Sequence, residues 1–503
     1  LIAPPLSSEQ QFKNCKTLLN SSSPTYGWGG AIFLWTAQTL SSSNFQLTSL
    51  TFVGCEAVNK AGHHIHIQSP STNATGSAIK NGNLLTVSGG TDLYTTSNYN
   101  FEYMGIDTSN AGTGTIDPQY HLDLFRQHYI SNVPNPCYID ASTIGVDQPD
   151  CGGLRYKCKT IAYAIDRNTL PPSGTAPSKD INFVIILMTI PSSDNNLQIS
   201  LPTTYNNYIT IQSNGYIAGG TGYTKYKITS SSQTNSLFQV TGAGRVELLG
   251  LQFDNLKTSS PAASAPFISV QNGGTSIQSM IIDSCEFALA GSSNLAHSII
   301  SVNGGKISIQ KTTFVNYKFD GVMSAIVIQS SSSVISVVEL VNVDFTDITQ
   351  SGTGNGACIN CILNSGSSLK TNDSSTFTRC KANSGFGGGI YSTIIDGQIE
   401  LNKVTFSSCE SKSGGAVYST VSGSGQLSIT NQCQFTSCTS SDGNGGGVYA
   451  SLSSISDSGG IYISGTSSTF TSCTSPISSG LGGAIYLDLS IGTESKYDLT
   501  GAS

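Results

Sequence analysis

The stretch FSSCESKSGGAVYS, residues 406–419, decides the fold, because it has three further copies towards the end of the chain. These are FTRCKANSGFGGGIYS from Phe377, FTSCTSSDGNGGGVYA from Phe435 and FTSCTSPISSGLGGAIYL from Phe470. A catalytic motif is normally used once in a chain, whereas a packing motif is used once in every structural repeat. The recurrence therefore indicates a repeat architecture.

The spacing of the copies predicts a solenoid. The cysteines of the FxxC element lie at 380, 409, 438 and 473, in steps of 29, 29 and 35 residues. Between them, alternating runs such as QIELNKVTF (398–406) predict short strands separated by Gly, Ser and Asn turns. Strands at this period suit a parallel β-helix whose coils stack about 4.8 Å apart, and residues from about 180 onwards hold about a dozen such coils.

In a stack of coils, equivalent residues lie above one another, so each motif position predicts a row of side chains. The phenylalanines predict an interior aromatic row, and the cysteines predict a row of thiols or disulfides. These rows contain Phe377, Phe406, Phe435 and Phe470, and Cys380, Cys409, Cys438 and Cys473. Each Gly-Gly pair predicts a tight corner, where φ is positive or another backbone comes close. The pairs are Gly387-Gly388, Gly414-Gly415, Gly445-Gly446 and Gly482-Gly483.

The composition favours an extracellular or cell-surface protein. Only 11% of the residues are charged and the net charge is −7, which argues against nucleic-acid binding. No apolar run reaches the roughly 18 residues that a membrane-spanning segment needs. Thirteen cysteines and three N-glycosylation sequons, at Asn20, Asn73 and Asn372, favour a secreted chain that carries covalent glycans.

The repeated F-x-x-C … G-G-A-[IV]-Y pattern resembles the paired GGA[ILV] and FxxN repeats of the polymorphic outer membrane proteins, which are β-helical surface adhesins. More broadly, it resembles the pectin-lyase-like superfamily. The resemblance implies an all-β, right-handed parallel β-helix. At the fourth position of the FxxN element this chain mostly has cysteine, including Cys15 and Cys55, and Asn316 stands there only in a weak copy.

Residues 137–168 carry a second resemblance, to the opening of many extracellular β-helix domains. There, a Cys-Gly … Cys-x-Thr-Ile segment leads into a short helix that caps the first coil. The apolar spacing of KTIAYAIDRN places this helix near 159–168, and Cys151 and Cys158 are close enough in sequence to form a disulfide. We interpret 137–180 as an N-terminal cap and 181–503 as the β-helix body.

Residues 1–136 contain the same coil elements as the C-terminal repeats, for example GWGGAIF (27–33) and LTFVGC (50–55). We interpret this region as the C-terminal end of a β-helix followed by a linker. The chain then combines the tail of one β-helix with the head and body of the next. This order, and a final strand-like stretch without a recognisable cap, predict a tandem array or an end-to-end polymer.

Three groups of polar residues also permit a chemical interpretation. On a strand, His64 and His66 of GHHIHI (62–67) would share one face as half of a metal site, but the sequence ties no third ligand to them. Cys358 and Cys361 have CxxC spacing without a second pair for zinc, so a disulfide or row thiols are favoured. The carboxylates that a lyase or hydrolase would need are scattered. They are Asp254, Asp283, Asp344, Asp347 and Asp396.

The sequence therefore favours a non-enzymatic extracellular structural protein, the β-helical unit of a surface filament or fibril that assembles end to end. We predict no catalytic residue, no metal and no cofactor. Two alternatives stay open: a cell-surface adhesin with a β-helix stalk, and a polysaccharide lyase or hydrolase on the same fold.

Overall fold

A computed structural model gives the fold of the chain. The residues that it describes are 10–18, 27–38, 40–94, 99, 101–111, 120–128, 134–141, 145–147, 151–154, 156–169, 182–188, 199–201, 208–220, 222–229, 236–242, 244–254, 265–276, 278–289, 294–456, 458–476 and 478–503. The chain forms two compact units. Unit 1 consists of Leu1–Pro134, Val146–Tyr156 and Arg167–Ser178, and unit 2 of Asn135–Gly145, Lys157–Asp166 and Lys179–Ser503.

Unit 2 is a parallel β-solenoid of about 11 turns, which confirms the architecture predicted from the repeats. A full coil contributes one strand to each of four sheets, and the strands pair in parallel with the coils before and after. We name the sheets the long, tyrosine, phenylalanine and short sheets. The chain passes from the tyrosine sheet to the long, phenylalanine and short sheets and then enters the next coil.

The strand bounds follow sheet by sheet, counted over the described residues. The 12 strands of the long sheet are Cys137–Ile139, Asn182–Leu187, Tyr208–Ser213, Arg245–Leu249, Met280–Asp283, Gly305–Gln310, Ser336–Val341, Ser368–Asn372, Gln398–Asn402, Gln426–Thr430, Gly460–Ser464 and Tyr497–Asp498. The 10 strands of the tyrosine sheet are Ile199–Leu201, Phe238–Thr241, Ile268–Gln271, Ile300–Asn303, Ile326–Gln329, Ile359–Leu363, Ile390–Ile395, Val417–Gly423, Val448–Ile455 and Ile485–Leu489. The 9 strands of the phenylalanine sheet are Tyr226–Thr229, Leu251–Asp254, Glu286–Ala288, Thr313–Val315, Asp344–Thr346, Thr376–Thr378, Thr405–Ser407, Gln434–Thr436 and Thr469–Thr471. The 5 strands of the short sheet are Lys318–Phe319, Thr349–Gln350, Lys381–Ala382, Glu410–Ser411 and Thr439–Ser440.

Alternation of side chains along each strand builds the interior of the solenoid. In Gln398–Asn402, Ile399 and Leu401 are buried, whereas Gln398 and Glu400 point outwards. Successive residues of a strand face opposite sides of the sheet. Every second position therefore points into the interior, and the equivalent positions of stacked coils form an apolar row there.

Left-handed backbone conformations turn the coil at its corners. In the coil that contains Phe406, Lys403, Ser408, Gly414 and Gly423 have φ values of 55°, 54°, 62° and 61°. One such residue lies at each junction between two sheets. Glycine adopts this conformation without a steric penalty and short polar residues tolerate it better than branched apolar ones, which explains the Gly-, Ser- and Asn-rich turns.

Unit 1 contains two smaller sheets and two α-helices among its described residues. The strands of the first sheet are Gln10–Lys13, Leu47–Val53 and Leu85–Val87, and those of the second are Ile32–Trp35, Ile65–Ser69, Tyr103–Asp107 and Leu122–Asp123. The α-helices are Thr72–Gly82 and Thr108–Ala111, and the 3₁₀ helices are Val58–Lys60 and Arg126–His128. The strands pair in parallel except for Tyr103–Asp107 with Leu122–Asp123.

A third α-helix spans Ile161–Thr169, where the sequence predicts a helix near 159–168. Its role as a cap stays a prediction. Cys151 and Cys158, just before it, form a disulfide. Among the described residues, no helix combines the length and apolar character that crossing a bilayer requires.

Candidate functional site

The phenylalanines of the motif form one continuous aromatic row inside unit 2. From Phe253 to Phe470, successive rings lie 4.5–4.9 Å apart and within 15° of parallel. Phe406 is fully buried and stacks between the rings of Phe377 and Phe435. Each ring thus contributes to packing on both neighbouring coils.

The motif cysteines form a second row, and they are thiols rather than disulfides. The Sγ of Cys409 donates to the backbone oxygen of Phe377 in the preceding coil, at 3.3 Å. Cys473 makes the same bond to Phe435, also at 3.3 Å. Burial raises the pKa of Cys409 well above the usual thiol value, so this group stays protonated and can donate.

The CxxC pair belongs to the same interior and is not bridged. Cys358 extends the row, because its thiol hydrogen-bonds to that of Cys380. Cys361 points inwards from the tyrosine sheet, and its Sγ donates to the oxygen of Tyr391 at 3.6 Å. Both side chains are buried thiols. No group of three metal-ligating side chains occurs in the part of the chain that the structure describes.

The two glycines of each pair are needed for different reasons. Gly414 has a φ of 62°, in the left-handed region. Gly415 has no such φ, but a Cβ there would lie 2.2 Å from the oxygen of Gly446 in the next coil. The first glycine therefore meets a conformational demand as well as a demand for space, since a Cβ on Gly414 would lie 2.3 Å from the oxygen of Val417, whereas the second meets a demand for space alone. Gly387, Gly445 and Gly482 share the conformation of Gly414, with φ of 64°–67°, and Gly388 and Gly446 share the close approach of Gly415.

The last coil of unit 2 carries an open edge. Ile485–Leu489 pairs with Val448–Ile455 on one side, and no described strand lies on its other side. Val448 is buried, whereas Ile485 at the equivalent position is only partly buried. The edge therefore exposes both backbone groups and an apolar row.

Outward-facing tyrosines end at the same edge. The rings of Tyr391, Tyr418, Tyr449 and Tyr486 are stacked with centroid separations of 5.4, 4.4 and 5.3 Å. In such a stack the faces of neighbouring rings are in contact, and only the ring edges are exposed to solvent. Tyr486, which ends the row, is stacked on one face by Tyr449, and no described ring covers its other face.

The first coils of unit 1 repeat the geometry of unit 2. The rings of Phe12 and Phe52 stack at 5.3 Å and 19°, and the Sγ of Cys55 donates to the oxygen of Phe12 at 3.5 Å. Gly29 has a φ of 72°, and a Cβ on Gly30 would lie 2.3 Å from the oxygen of His63. Unit 1 therefore builds its coils from the same motif.

Unit 1 also has an open edge, on its first described coil. Ile32–Trp35 pairs with Ile65–Ser69, and no further described strand flanks it. Its outward residues Phe33 and Trp35 are 45% and 69% exposed. Phe33 stacks on His66 at 5.9 Å and 19°, in the row position that Tyr486 occupies in unit 2.

The histidine cluster differs from its prediction, because His64 and His66 do not share a face. The strand begins at Ile65, so His64 lies before the alternation and stacks on Phe52 at 4.5 Å. His66 is buried, and its Nε2 lies 2.8 Å from the Nδ1 of His121. Burial and the nearby His121 hold the pKa of His66 well below its usual value. No sequence signal links these two histidines, which are 55 residues apart.

Each of the scattered carboxylates is held by a neighbouring side chain. Asp347 forms a two-point ion pair with Arg379, with Nε–Oδ1 and Nη2–Oδ2 distances of 2.6 and 2.8 Å, and Asp344 accepts a hydrogen bond from Thr376 at 2.7 Å. Arg379 lowers the pKa of Asp347, so this group is a poor general acid. Asp254, Asp283 and Asp396 contact Lys227, Tyr216 and Ser424, respectively.

Asp347 and Arg379 also line an open groove of about 390 Å³ on the outside of the solenoid. Its walls are formed by Leu289, Asn316, Lys318, Asp347, Thr349, Arg379 and Lys381. Of its charged groups, Asp347 is paired with Arg379 and Lys381 with Glu410. The groove therefore lacks a pair of free carboxylates.

The sequons fall in different settings. Asn73 is exposed in the first turn of the helix Thr72–Gly82, and Asn20 lies outside the described residues. Asn372 ends the strand Ser368–Asn372 and is half-buried. It precedes Asp373 and Ser374, which turn the corner with φ of 51° and 66°.

In comparisons with known proteins, the chain matches no family profile, no curated protein and no solved structure. The parallel solenoid is therefore established by its strand pairing. The kinship of its repeats stays a prediction.

Proposed function

We propose that this chain is a non-enzymatic extracellular structural subunit that assembles end to end into a filament. The observation that carries the proposal is the match between the two open edges, Ile32–Trp35 in unit 1 and Ile485–Leu489 in unit 2. Each strand follows the same corner sequence, GGAIF at 29–33 and GGAIY at 482–486. The edge strand of unit 1 in one copy therefore matches the strand that would come next after the unit 2 edge of a second copy.

Parallel pairing of these strands would continue every row of the solenoid. In the register used between Val448–Ile455 and Ile485–Leu489, Ile32 of a second copy falls on Ile485 and Phe33 falls on Tyr486. Phe33 then covers the open face of the Tyr486 ring. Backbone hydrogen bonds supply affinity in such strand addition, and the alternating side chains supply specificity.

The polarity of the edges supports a chain of subunits rather than a closed pair. The open edge of unit 1 belongs to its first described coil, and that of unit 2 belongs to its last. Head-to-tail contact between different surfaces generates rings if the rotation closes and filaments if it does not. Head-to-tail addition of copies without closure gives the proposed filament.

The composition of the edge strands supports the same conclusion. Soluble proteins protect exposed edges with charges, prolines or bulges. IFLW (32–35) has no charge or proline, and IYLDL (485–489) has only Asp488. Apart from Asp488, the two edge strands have no charge or proline to prevent pairing.

One contact must give way for complete docking. The oxygen of Ser503 accepts a hydrogen bond from the amide of Phe470, and Ala502 forms a bridge with Ser468. These two residues occupy the first positions of the phenylalanine-sheet edge. We infer that docking begins at the tyrosine sheet and then displaces them.

The alternatives have less support. An enzyme of the pectin-lyase-like superfamily would need converging carboxylates, whereas Asp254, Asp344 and Asp347 are each held by a neighbouring side chain. An adhesin would use a surface such as the groove near Lys318, with the solenoid as its stalk. The motif resemblance and the sequons support a right-handed, glycosylated protein at the cell surface.

Sedimentation velocity and electron microscopy of the 503-residue chain under reducing conditions test the proposal. We expect rods whose length grows with concentration. Phe33→Asp and Leu487→Lys each place a charge on one open edge and should give monomers with unchanged circular dichroism. Ile362→Lys, a control at an outward position that is 40% exposed, should still associate. A wild-type chain that stays monomeric at every concentration would refute the proposal, as would edge variants that associate normally.

A further inference from the structure

We infer that Cys15 of one subunit forms a disulfide with Cys473 of the next subunit and so locks the filament covalently. The inference rests on the proposed end-to-end assembly. It assigns a role to the two cysteines at the ends of the thiol rows.

These two cysteines differ from the others in exposure. Cys15 and Cys473 are partly exposed, whereas the other described thiols are buried. In each unit the thiol nearest the open edge is therefore the one that a small oxidant reaches. Cys409 and Cys438 are buried, because coils on both sides shield them from solvent and from an oxidant.

The hydrogen bonding of the row is incomplete at both open edges. Cys55 donates to the oxygen of Phe12 in the preceding coil, whereas the Sγ of Cys15 hydrogen-bonds to the thiol of Cys55 and donates to the oxygen of Lys13 in its own coil, at 3.8 Å. In unit 2, no described thiol donates to the oxygen of Phe470. Docking the two edges in register would place Phe12 on Phe470 and Cys15 next to Cys473.

The spacing of the row permits a disulfide between subunits. Paired strands lie about 4.8 Å apart, which is within the Cα–Cα range of about 4.4–6.8 Å for disulfides. In strict register, however, the Cβ atoms lie about 1 Å farther apart than the mean disulfide separation of about 3.8 Å. Inside one rigid solenoid this difference and the burial keep Cys409 and Cys438 as thiols. Between two separate subunits, the disulfide requires a rigid-body shift of about 1 Å at this position.

A low-molecular-weight disulfide, such as oxidised glutathione, supplies the oxidant. The thiolate of Cys15 attacks one of its sulfurs, which forms a mixed disulfide and releases one small thiol. The thiolate of Cys473 then attacks the Cys15 sulfur and releases the second small thiol. Two protein thiols are oxidised to one disulfide, and one small disulfide is reduced to two thiols.

Two complementary variants test the bond. Cys15→Ser retains Cys473, and Cys473→Ser retains Cys15. After incubation with oxidised glutathione, the wild type should run as a ladder of covalent multimers on a non-reducing gel. Each variant alone should give no multimer, whereas an equimolar mixture should give a covalent dimer and nothing larger. Mass spectrometry should find the linked peptides that contain Cys15 and Cys473.

A control variant and a second measurement separate the possible failures. Cys361→Ser removes a buried thiol outside the row and should leave the ladder intact. Rods under reducing conditions without covalent multimers under oxidising ones would overturn the disulfide and leave the proposed function standing. Cross-links through other cysteines would also overturn the disulfide. Loss of the rods themselves would refute the proposed function.

Discussion

The thiol of Cys409 donates to the backbone oxygen of Phe377, which lies one coil earlier, at 3.3 Å. The two halves of the FxxC motif therefore act on different coils. The phenylalanine ring of a coil stacks on its neighbours, and the cysteine of the next coil binds the backbone of that phenylalanine. Cys55 and Phe12 repeat the relationship in unit 1 at 3.5 Å. The FxxC motif therefore stabilises the contact between neighbouring coils.

Truncating the centre of the aromatic row should destabilise unit 2 strongly. Phe406→Ala removes a fully buried ring with neighbours on both sides, and such changes cost about 3–5 kcal/mol. Phe470→Ala, at the partly buried end of the same row, should cost less than half as much. Urea denaturation followed by far-ultraviolet circular dichroism measures both. Equal losses for the two variants would contradict the row as the source of stability.

The second glycine of a corner should not tolerate a methyl group. In Gly415→Ala the new Cβ meets the backbone oxygen of Gly446 at 2.2 Å, so two coils must separate. We expect a loss on the order of 3 kcal/mol or more in the free energy of unfolding. Gly222→Ala is the matched control in unit 2, because a Cβ there meets nothing within 4 Å. It should change stability by less than about 0.5 kcal/mol, and a similar effect at both positions would disprove the steric explanation.

Unit 1 should lose stability in mild acid. Burial, followed by the charge of His63, lowers the pKa of His64 to about 4. In the unfolded chain this group titrates near its usual value of about 6.5. Between these values only the unfolded state binds the proton, so stability is complete above about pH 6.5 and falls as the pH drops towards 4. The carboxylate of Glu102 lies 3.4 Å from the Nδ1 of His64 and offsets part of this loss. We expect a net loss of about 2 kcal/mol in the free energy of unfolding.

Tryptophan fluorescence can follow this acid effect, because both tryptophans of the chain, Trp28 and Trp35, lie in unit 1. Urea denaturation at pH 7.5, 6, 5 and 4.5 gives the slope of the free energy of unfolding against pH. His64→Phe keeps a ring against Phe52 without a titrating group and should reduce this slope, while His66, whose pKa is also lowered, retains part of it. An unchanged slope in this variant would assign the acid sensitivity to other residues.

The ion pair between Asp347 and Arg379 should contribute little to stability. Both side chains are about half exposed, and solvent screens the attraction between exposed charges. A double-mutant cycle with Asp347→Asn and Arg379→Gln measures the coupling. If the two residues instead belonged to a polysaccharide-cleaving site, Asp347→Asn would abolish reducing-sugar release from a suitable glycan without changing stability.

Asn372 should carry a glycan when the chain is secreted from eukaryotic cells. It lies at a half-exposed corner before two exposed residues, where a glycan can extend away from the coil rows. Endoglycosidase treatment should shift the mass of the wild type, and Asn372→Gln should reduce the shift by one glycan. If the mass shift of this variant equals that of the wild type, the sequon at Asn372 is not glycosylated.

Repetition made much of unit 2 predictable. Four copies of one motif placed Phe406 and Cys409 in rows, because a residue one period away becomes a spatial neighbour in a solenoid. The same reasoning identified coil elements around Phe12 and Phe52. A fixed period also explains why the sequence pointed to Gly414-Gly415 as a corner.

Contacts outside the period were not predictable. His66 meets His121, which shares no motif or spacing with it. Asp347 meets Arg379 through neighbouring coils, but the outward positions that they occupy vary in residue type from coil to coil. The left-handed corners at Lys403 and Ser408 also carry residue types that do not distinguish a corner from a strand end.

Coil length and ring spacing are independent in this solenoid. Phe287 and Phe314 are 27 residues apart in sequence and Phe435 and Phe470 are 35 apart, yet the ring centroids lie 4.9 and 4.5 Å apart. Part of the additional length between Phe435 and Phe470 lies at the end of the strand Val448–Ile455, where the register against Val417–Gly423 shifts, and the chain is back in register at Phe470. Foreign peptides inserted at such positions would be presented along the outer wall at regular intervals, which makes the protein a natural scaffold for multivalent display.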